Sequence, residues 1–131
     1  MEIKKTVLAV DDSPVSLQIL ASFLSAEYRP MIAKSAAEAI TLMSKTRPDL
    51  ILLDIEMPDV SGFEFLHTIK KNPKSMNVPV IIVSSHSDEQ FVIHSKNAGA
   101  SDIIPKPVNK EELLQKIKRA LENPPKNIFG L

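Results

Sequence analysis

Five short apolar runs punctuate the chain: Val7-Leu8-Ala9-Val10, Met31-Ile32-Ala33, Leu50-Ile51-Leu52-Leu53, Val80-Ile81-Ile82-Val83 and Ile103-Ile104. The first, third and fourth are continuous rather than alternating, the pattern of strands buried on both faces of a parallel sheet. The second and fifth are weaker and suit its edges. Helical stretches fill the spaces between and after them. Ser13 followed by Pro14 reads as an N-cap with proline at the first helical position. Ser35/Glu38, Ser61/Glu64 and Ser87/Gln90 fit capping-box spacing, and Asn109/Glu112 is a looser version. Apolar residues recur at helical spacing in Leu17, Leu20 and Leu24, in Ala36, Ile40 and Met43, and in Leu113, Ile117 and Leu121. Lys110, Glu111, Lys118 and Glu122 give the last helix a solvated face.

Strand then helix, five times over, predicts a doubly wound α/β fold: a five-stranded parallel sheet in the order 2-1-3-4-5 with helices on both faces. The domain runs over residues 5–122. Residues 123–131 read as a C-terminal tail or the start of a truncated linker.

Composition narrows what such a domain does. A chain of 131 residues, 44% hydrophobic, supports one core and leaves no room for a second folded domain. Lys+Arg and Asp+Glu balance at 16 each, so no global field draws this chain to nucleic acid or an anionic membrane. Without cysteine there are no disulfides, zinc-thiolate sites or thiol chemistry, which suits a reducing cytoplasm. No apolar run approaches the ~20 residues that span a bilayer, and Glu2 and Lys4 do not open a signal peptide. The expectation is a soluble cytoplasmic protein.

The chemistry lies in the residues just past each strand. Val10 is followed by Asp11 and Asp12, Leu53 by Asp54, Val83 by Ser84 and Ser85, and Ile104, through Pro105, by Lys106. In a parallel sheet these positions share the carboxyl edge, where open α/β sheets bind ligands at the point of strand-order reversal. Three carboxylates brought together repel, and each raises the cost of ionising the others. A hard divalent cation resolves this, and Mg²⁺ takes one or two carboxylates with water for the rest. Asp12 and Asp54 are read as its direct ligands, Asp11 as acting through water, and the backbone carbonyl of Glu56 as a further ligand. Phosphoryl transfer needs an in-line oxygen nucleophile, a cation and fixed donors. Asp54, ending the central strand, is the nucleophile through an acyl phosphate. Lys106 offers positive charge, and the Ser84 hydroxyl a hydrogen bond that exists only once phosphate is present.

Leu-Ala-Val-Asp-Asp-Ser, Asp-Leu-Ile-Leu-Leu-Asp-Ile-Glu-Met-Pro and Asn-Ala-Gly-Ala-Ser-Asp-Ile-Ile-Pro-Lys-Pro together resemble the receiver domain of two-component response regulators over roughly residues 5–122. The resemblance implies a flavodoxin-like fold and a signalling switch rather than an enzyme. It implies transfer from the phosphohistidine of a sensor histidine kinase or histidine phosphotransfer protein. A downstream effector domain or protein would then be controlled through the face of the fourth helix, fifth strand and fifth helix, which also serves homodimers. Asp54 corresponds to the phosphoacceptor, Asp11 and Asp12 to the acidic pair serving Mg²⁺, Ser84 to the switch hydroxyl and Lys106 to the site lysine. Pro107 corresponds to the proline whose preceding bond is often cis, a bond that X-Pro tolerates at small cost. The sequence departs from the pattern at Ile103, where the family usually carries an aromatic switch residue. Glu56 and His86, at variable positions bordering the phosphoryl group, are expected to tune the lifetime of phospho-Asp54.

Plainer readings stand beside these. Strand-ending aspartates often only cap helices or shape turns, and Ser84 and Lys106 taken singly are ordinary loop and surface residues. His67, His86 and His94 lack metal-ligand spacing. Met57-Pro58 and Gly62 shape the loop after Asp54, and Ile128 and Phe129 belong to a tail that is disordered or docks on a partner. A Mg²⁺-dependent phosphatase with an aspartyl-phosphate intermediate wants an acid two residues past the nucleophile, where Glu56 stands, yet it leaves Asp11-Asp12 without a role. A flavodoxin-type electron carrier needs Ser/Thr and Gly amides where this chain has acids.

Overall fold

The computed structural model describes residues 3–57 and 61–125. Readings that involve Pro58, Ile128 and Phe129 therefore lie outside the described residues. Strands and helices alternate as β1 (Thr6–Val10), α1 (Pro14–Leu24), β2 (Arg29–Ala33), α2 (Ala36–Lys45), β3 (Leu50–Asp54), α3 (Gly62–Lys71), β4 (Val80–Ser84), α4 (Glu89–Asn97), β5 (Asp102–Pro105) and α5 (Lys110–Glu122). The sheet is parallel throughout, in the order β2-β1-β3-β4-β5.

The continuous apolar runs have their cause in two separate cores. Alternate residues of each strand serve opposite faces. Leu8, Val10, Ile51, Leu53, Val80, Ile82 and Ile103 pack with Ala36, Ala39, Phe65, Leu66 and Ile69 of α2 and α3. Val7, Ala9, Leu50, Leu52, Ile81, Val83 and Ile104 pack with Leu17, Leu20 and Leu24 of α1 and Leu113, Ile117 and Ala120 of α5. Every residue of β1, β3 and β4 is buried. The edge strand β2 is half open to solvent, which is why its polar first residue, Arg29, hides it from a hydrophobicity reading.

Three helix starts match the expected caps: Ser13 accepts from Ser16 N, Ser35 from Glu38 N and Asn109 from Glu112 N. Two do not. The α4 cap is Asp88, whose carboxylate accepts from Phe91 N, rather than Ser87 one residue earlier. Ser61 stands at the N-cap of α3 but its side chain caps nothing. The α2 stripe is also shifted: Ala36 and Ala39 are buried while Ile40 is 50% exposed, since small residues bring this helix close to the sheet.

Gly62 opens α3 against the chain that leaves β3. A Cβ there would lie 2.6 Å from Ile55 Cα, 2.6 Å from Ile55 Cδ1 and 2.9 Å from Ile55 O. Backbone atoms cannot rotate away, so Gly62→Ala displaces the residue that directly follows Asp54. Overpacking of this kind costs about 1–3 kcal/mol. Urea unfolding of the variant checks it, and an unchanged midpoint refutes it.

Candidate functional site

Parallel register brings the strand ends to one edge: Val10 pairs with Leu53, Asp54 with Val83 and Ser84 with Pro105. The residues just beyond them therefore meet in one crevice. Asp54, 3% exposed, accepts at Oδ1 from its neighbour Glu56 N at 3.0 Å and from Lys106 Nζ at 3.1 Å. Lys106 is itself anchored through its backbone, which donates to Ser84 O at 3.0 Å. The Lys106–Pro107 peptide bond is cis. One carboxylate oxygen each from Asp11, Asp12 and Asp54 lies within 4.8 Å of the others, with Asp11 and Asp54 buried and Asp12 exposed.

The electrostatics of this cluster are incomplete. Asp11 Oδ1 accepts from Ser13 N at 2.9 Å, but its Oδ2 is buried without a hydrogen-bond partner. Burial first, and the Asp54 carboxylate second, push its pKa up to about 6, against the lowering influence of the Ser13 amide and the Lys106 charge. A proton on either carboxyl would let the two share a hydrogen bond; as two carboxylates neither can donate. Burial alone would lower the Lys106 pKa, yet its hydrogen bond to Asp54 and the charges of Asp54, Asp11 and Glu56 outweigh that and raise it. Lys106 is thus a fixed cation facing three anions. The orphaned Asp11 oxygen and an all-oxygen donor set fit a hard divalent cation.

A second cluster borders the first. Glu56 Oε1 accepts from Ser84 Oγ at 2.8 Å, Ser85 N at 2.8 Å and Ser85 Oγ at 2.7 Å, and His86 Nδ1 lies 3.2 Å away. The Ser84 oxygen in turn accepts from His86 N at 2.9 Å. Burial pushes the Glu56 carboxyl up, but the hydrogen bonds from Ser85, Ser84 and His86 prevail and hold it at about 2. The His86 ring lies 5.7 Å from Phe91, Phe91 packs edge-on to Phe63 at 5.8 Å, and Phe63 packs edge-on to His94 at 4.5 Å.

Sequence reasoning placed Glu56 here through its backbone carbonyl and as a bordering side chain, and passed over Ser85. The available signal was a strand end unusually rich in donors, Ser84-Ser85-His86, opposite an acid two residues beyond Asp54. His67, His86 and His94 are all exposed.

A parallel sheet of this order, with three converging aspartates and a lysine paired to the one that ends the central strand, defines the receiver class. The model of the response regulator receiver domain family matches residues 7–118, and the chain belongs to that family. It is the receiver domain of a two-component response regulator, with the flavodoxin-like fold of chemotaxis receivers. It is similar to Protein PilH of Pseudomonas aeruginosa, 33% identical over 88% of this chain and 96% of that protein. It is also similar to a probable cyclic di-GMP phosphodiesterase of Vibrio cholerae, 35% identical over 90% of this chain but only 27% of that protein. Thus the chain spans nearly all of some curated relatives and a minor part of others. Among solved structures, chemotaxis protein CheY4 of Vibrio cholerae superposes with a TM-score of 0.84 at 30% identity, covering 89% of this chain and 98% of that one. A CheY-like receiver domain protein of Methanospirillum hungatei gives 0.82 at 34% identity, covering 92% and 95%. Receiver domains are signalling switches that hold Mg²⁺ in an acidic pocket, and here that pocket is the Asp11, Asp12 and Asp54 cluster. No helix among the described residues is long and apolar enough to cross a membrane.

Proposed function

We propose that Asp54 accepts a phosphoryl group from the phosphohistidine of a sensor histidine kinase or histidine phosphotransfer protein, and that residues 5–122 then act as a switch on a downstream effector. The observation that carries this reading is the buried Asp54 carboxylate, held by Lys106 at 3.1 Å within a cluster of two further aspartates.

Both hydrogen bonds to Asp54 fall on Oδ1, which leaves Oδ2 as the oxygen that attacks phosphorus. The new O–P bond forms as the donor's P–N bond breaks, and the leaving imidazole takes the electron pair and a proton. Lys106, kept charged, faces the transferred group and offsets its negative oxygens. Asp12, Asp54 and the Glu56 carbonyl would hold Mg²⁺ directly, with Asp11 acting through water. When bound, the ion supplies positive charge to the phosphoryl oxygens and relieves repulsion among the carboxylates. Ser84 then donates its hydroxyl to the phosphoryl group. The response leaves through the face of α4, β5 and α5, where Ile93 is half exposed and available to an effector or a second copy.

Incubation with acetyl phosphate and Mg²⁺ adds one acid-stable, base-labile phosphoryl group per chain. Steady turnover of a phosphomonoester would instead indicate the phosphatase alternative. That alternative needs Glu56 as a proton donor, whereas here its carboxylate is engaged as an acceptor from Ser84 and Ser85.

Glu56 and His86 gather with Ser84 beside the Asp54 cluster, and their role in this reading is to limit the access of water to phospho-Asp54. Glu56→Ala and His86→Ala are each expected to speed loss of the phosphoryl group several-fold, measured as phosphoprotein remaining after donor removal. Unchanged rates in both variants dispose of this role.

A further inference from the structure

The Ser84 hydroxyl has one proton to donate. In this structure the acceptor is Glu56 Oε1 at 2.8 Å, and the hydroxyl oxygen is itself held by His86 N at 2.9 Å. Ser84 is fully buried, so its hydroxyl does not reach bulk water, whereas the Glu56 carboxylate that accepts it is partly exposed. The same Glu56 oxygen binds both the backbone and the side chain of Ser85, and the His86 ring. One carboxylate oxygen therefore gathers the polar side chains of the segment leaving β4. A Ser84 hydroxyl committed to Glu56 cannot at the same time bond to a group on Asp54.

We propose that Glu56 is a positioning residue that latches the β4–α4 segment in its resting form, so that a phosphoryl group on Asp54 gains the Ser84 hydroxyl only by taking it from Glu56. This rests on the reading of Asp54 as phosphoacceptor. The latch opposes the switched state by the strength of a charge-assisted hydrogen bond. Its release reaches α4 directly, because His86 sits on Phe91, and Phe91 on Phe63. Asp88, the α4 cap, is only two residues beyond His86.

Beryllium trifluoride with Mg²⁺ serves as the probe, since it mimics a phosphoryl group on a carboxylate and does not turn over. Its affinity is measured for the wild type, Glu56→Ala, Ser84→Ala and the double variant. Loss of the latch tightens binding about tenfold in Glu56→Ala, the scale of one hydrogen bond to a charged group. In the Ser84→Ala background the same change has no effect. A gain that persists without the Ser84 hydroxyl is simple charge repulsion by Glu56 and overturns the latch, as does no gain at all. If the wild type fails to bind the probe, the phosphoacceptor reading fails and the latch with it. A second readout needs neither metal nor probe. In the free Glu56→Ala protein the amide resonances of Ser84, Ser85, His86 and Phe91 move toward their positions in the loaded wild type. Movement confined to Glu56 and its chain neighbours overturns the proposal.

Discussion

Asp54→Asn yields a folded protein that takes up no phosphoryl group from acetyl phosphate and Mg²⁺. The amide oxygen can still accept from Glu56 N and Lys106 Nζ, now at 3.0 Å and 3.1 Å, so the local frame survives. What disappears is the nucleophile, because an amide does not displace a leaving group from phosphorus at neutral pH. The fold tolerates the change for a second reason. Removing the Asp54 charge relieves Asp11, one of whose burdens is that neighbouring carboxylate. Intact-mass measurement before and after donor treatment reads the result, with urea unfolding as the control for folding. An adduct on the variant that resists hydroxylamine would place the acceptor on a hydroxyl, Ser84 or Ser85, and end the proposed chemistry.

Much of this was legible in the chain because its causes are local or periodic. β1, β3 and β4 announce themselves since a strand covered on both faces has no polar side to interrupt it. Once those three and β5 are parallel, the residues past Val10, Leu53, Val83 and Ile104 must share an edge, and their chemistry can be read without knowledge of any side-chain rotamer. The caps at Ser13, Ser35 and Asn109 are likewise local, set by one side chain and an amide three residues on.

What escaped the sequence depends on distance in the chain. α4 buries only Ser95, so no apolar stripe marks it. Its expected cap, Ser87 with Gln90, gives way to Asp88 one residue later, because the path of the loop decides which side chain meets the free amides. In α2 the buried positions are alanines, and a reading weighted by hydrophobicity favours the larger Ile40, which the packing turns outward. The Glu56 cluster joins residues 28 to 30 positions apart. Its acid lies past β3 and its donors past β4, so only the pairing of Asp54 with Val83 brings them together. Ile103 illustrates the same limit. It is buried in the core on the α2–α3 face, and Phe91 packs against that core. The aromatic side chains near the site come instead from α3 and α4, on the side of the sheet that Glu56 and His86 address.

Asp11→Asn is expected to stabilise the metal-free protein while weakening its response to Mg²⁺, two effects of opposite sign from one substitution. Asp11 is buried, and its pKa is raised from 3.8 to about 6 by burial first and by Asp54 second. A carboxyl whose pKa is higher folded than unfolded lends stability below the unfolded value, and that stability is lost as pH rises through the folded value. The Asp11 contribution to the stability of the metal-free wild type therefore falls between about pH 4 and pH 6, and its full penalty applies at about pH 7.5, on the order of 3 kcal/mol as an upper bound. Asparagine keeps an oxygen for Ser13 N and gives Asp54 a donor, so it escapes the penalty. Its advantage over the wild type in EDTA should reach about 2 kcal/mol at about pH 7.5 and vanish near about pH 4. Mg²⁺ reverses the ranking. Binding to the folded state alone stabilises the wild type by about 2.7 kcal/mol at a hundredfold excess over Kd, and the variant, with one anion fewer, gains much less. Urea unfolding at both pH values, with EDTA or with Mg²⁺, measures all of these effects. If Asp11→Asn is less stable than the wild type in EDTA at the higher pH, then burial of Asp11 is not the uncompensated cost that makes this pocket a cation site.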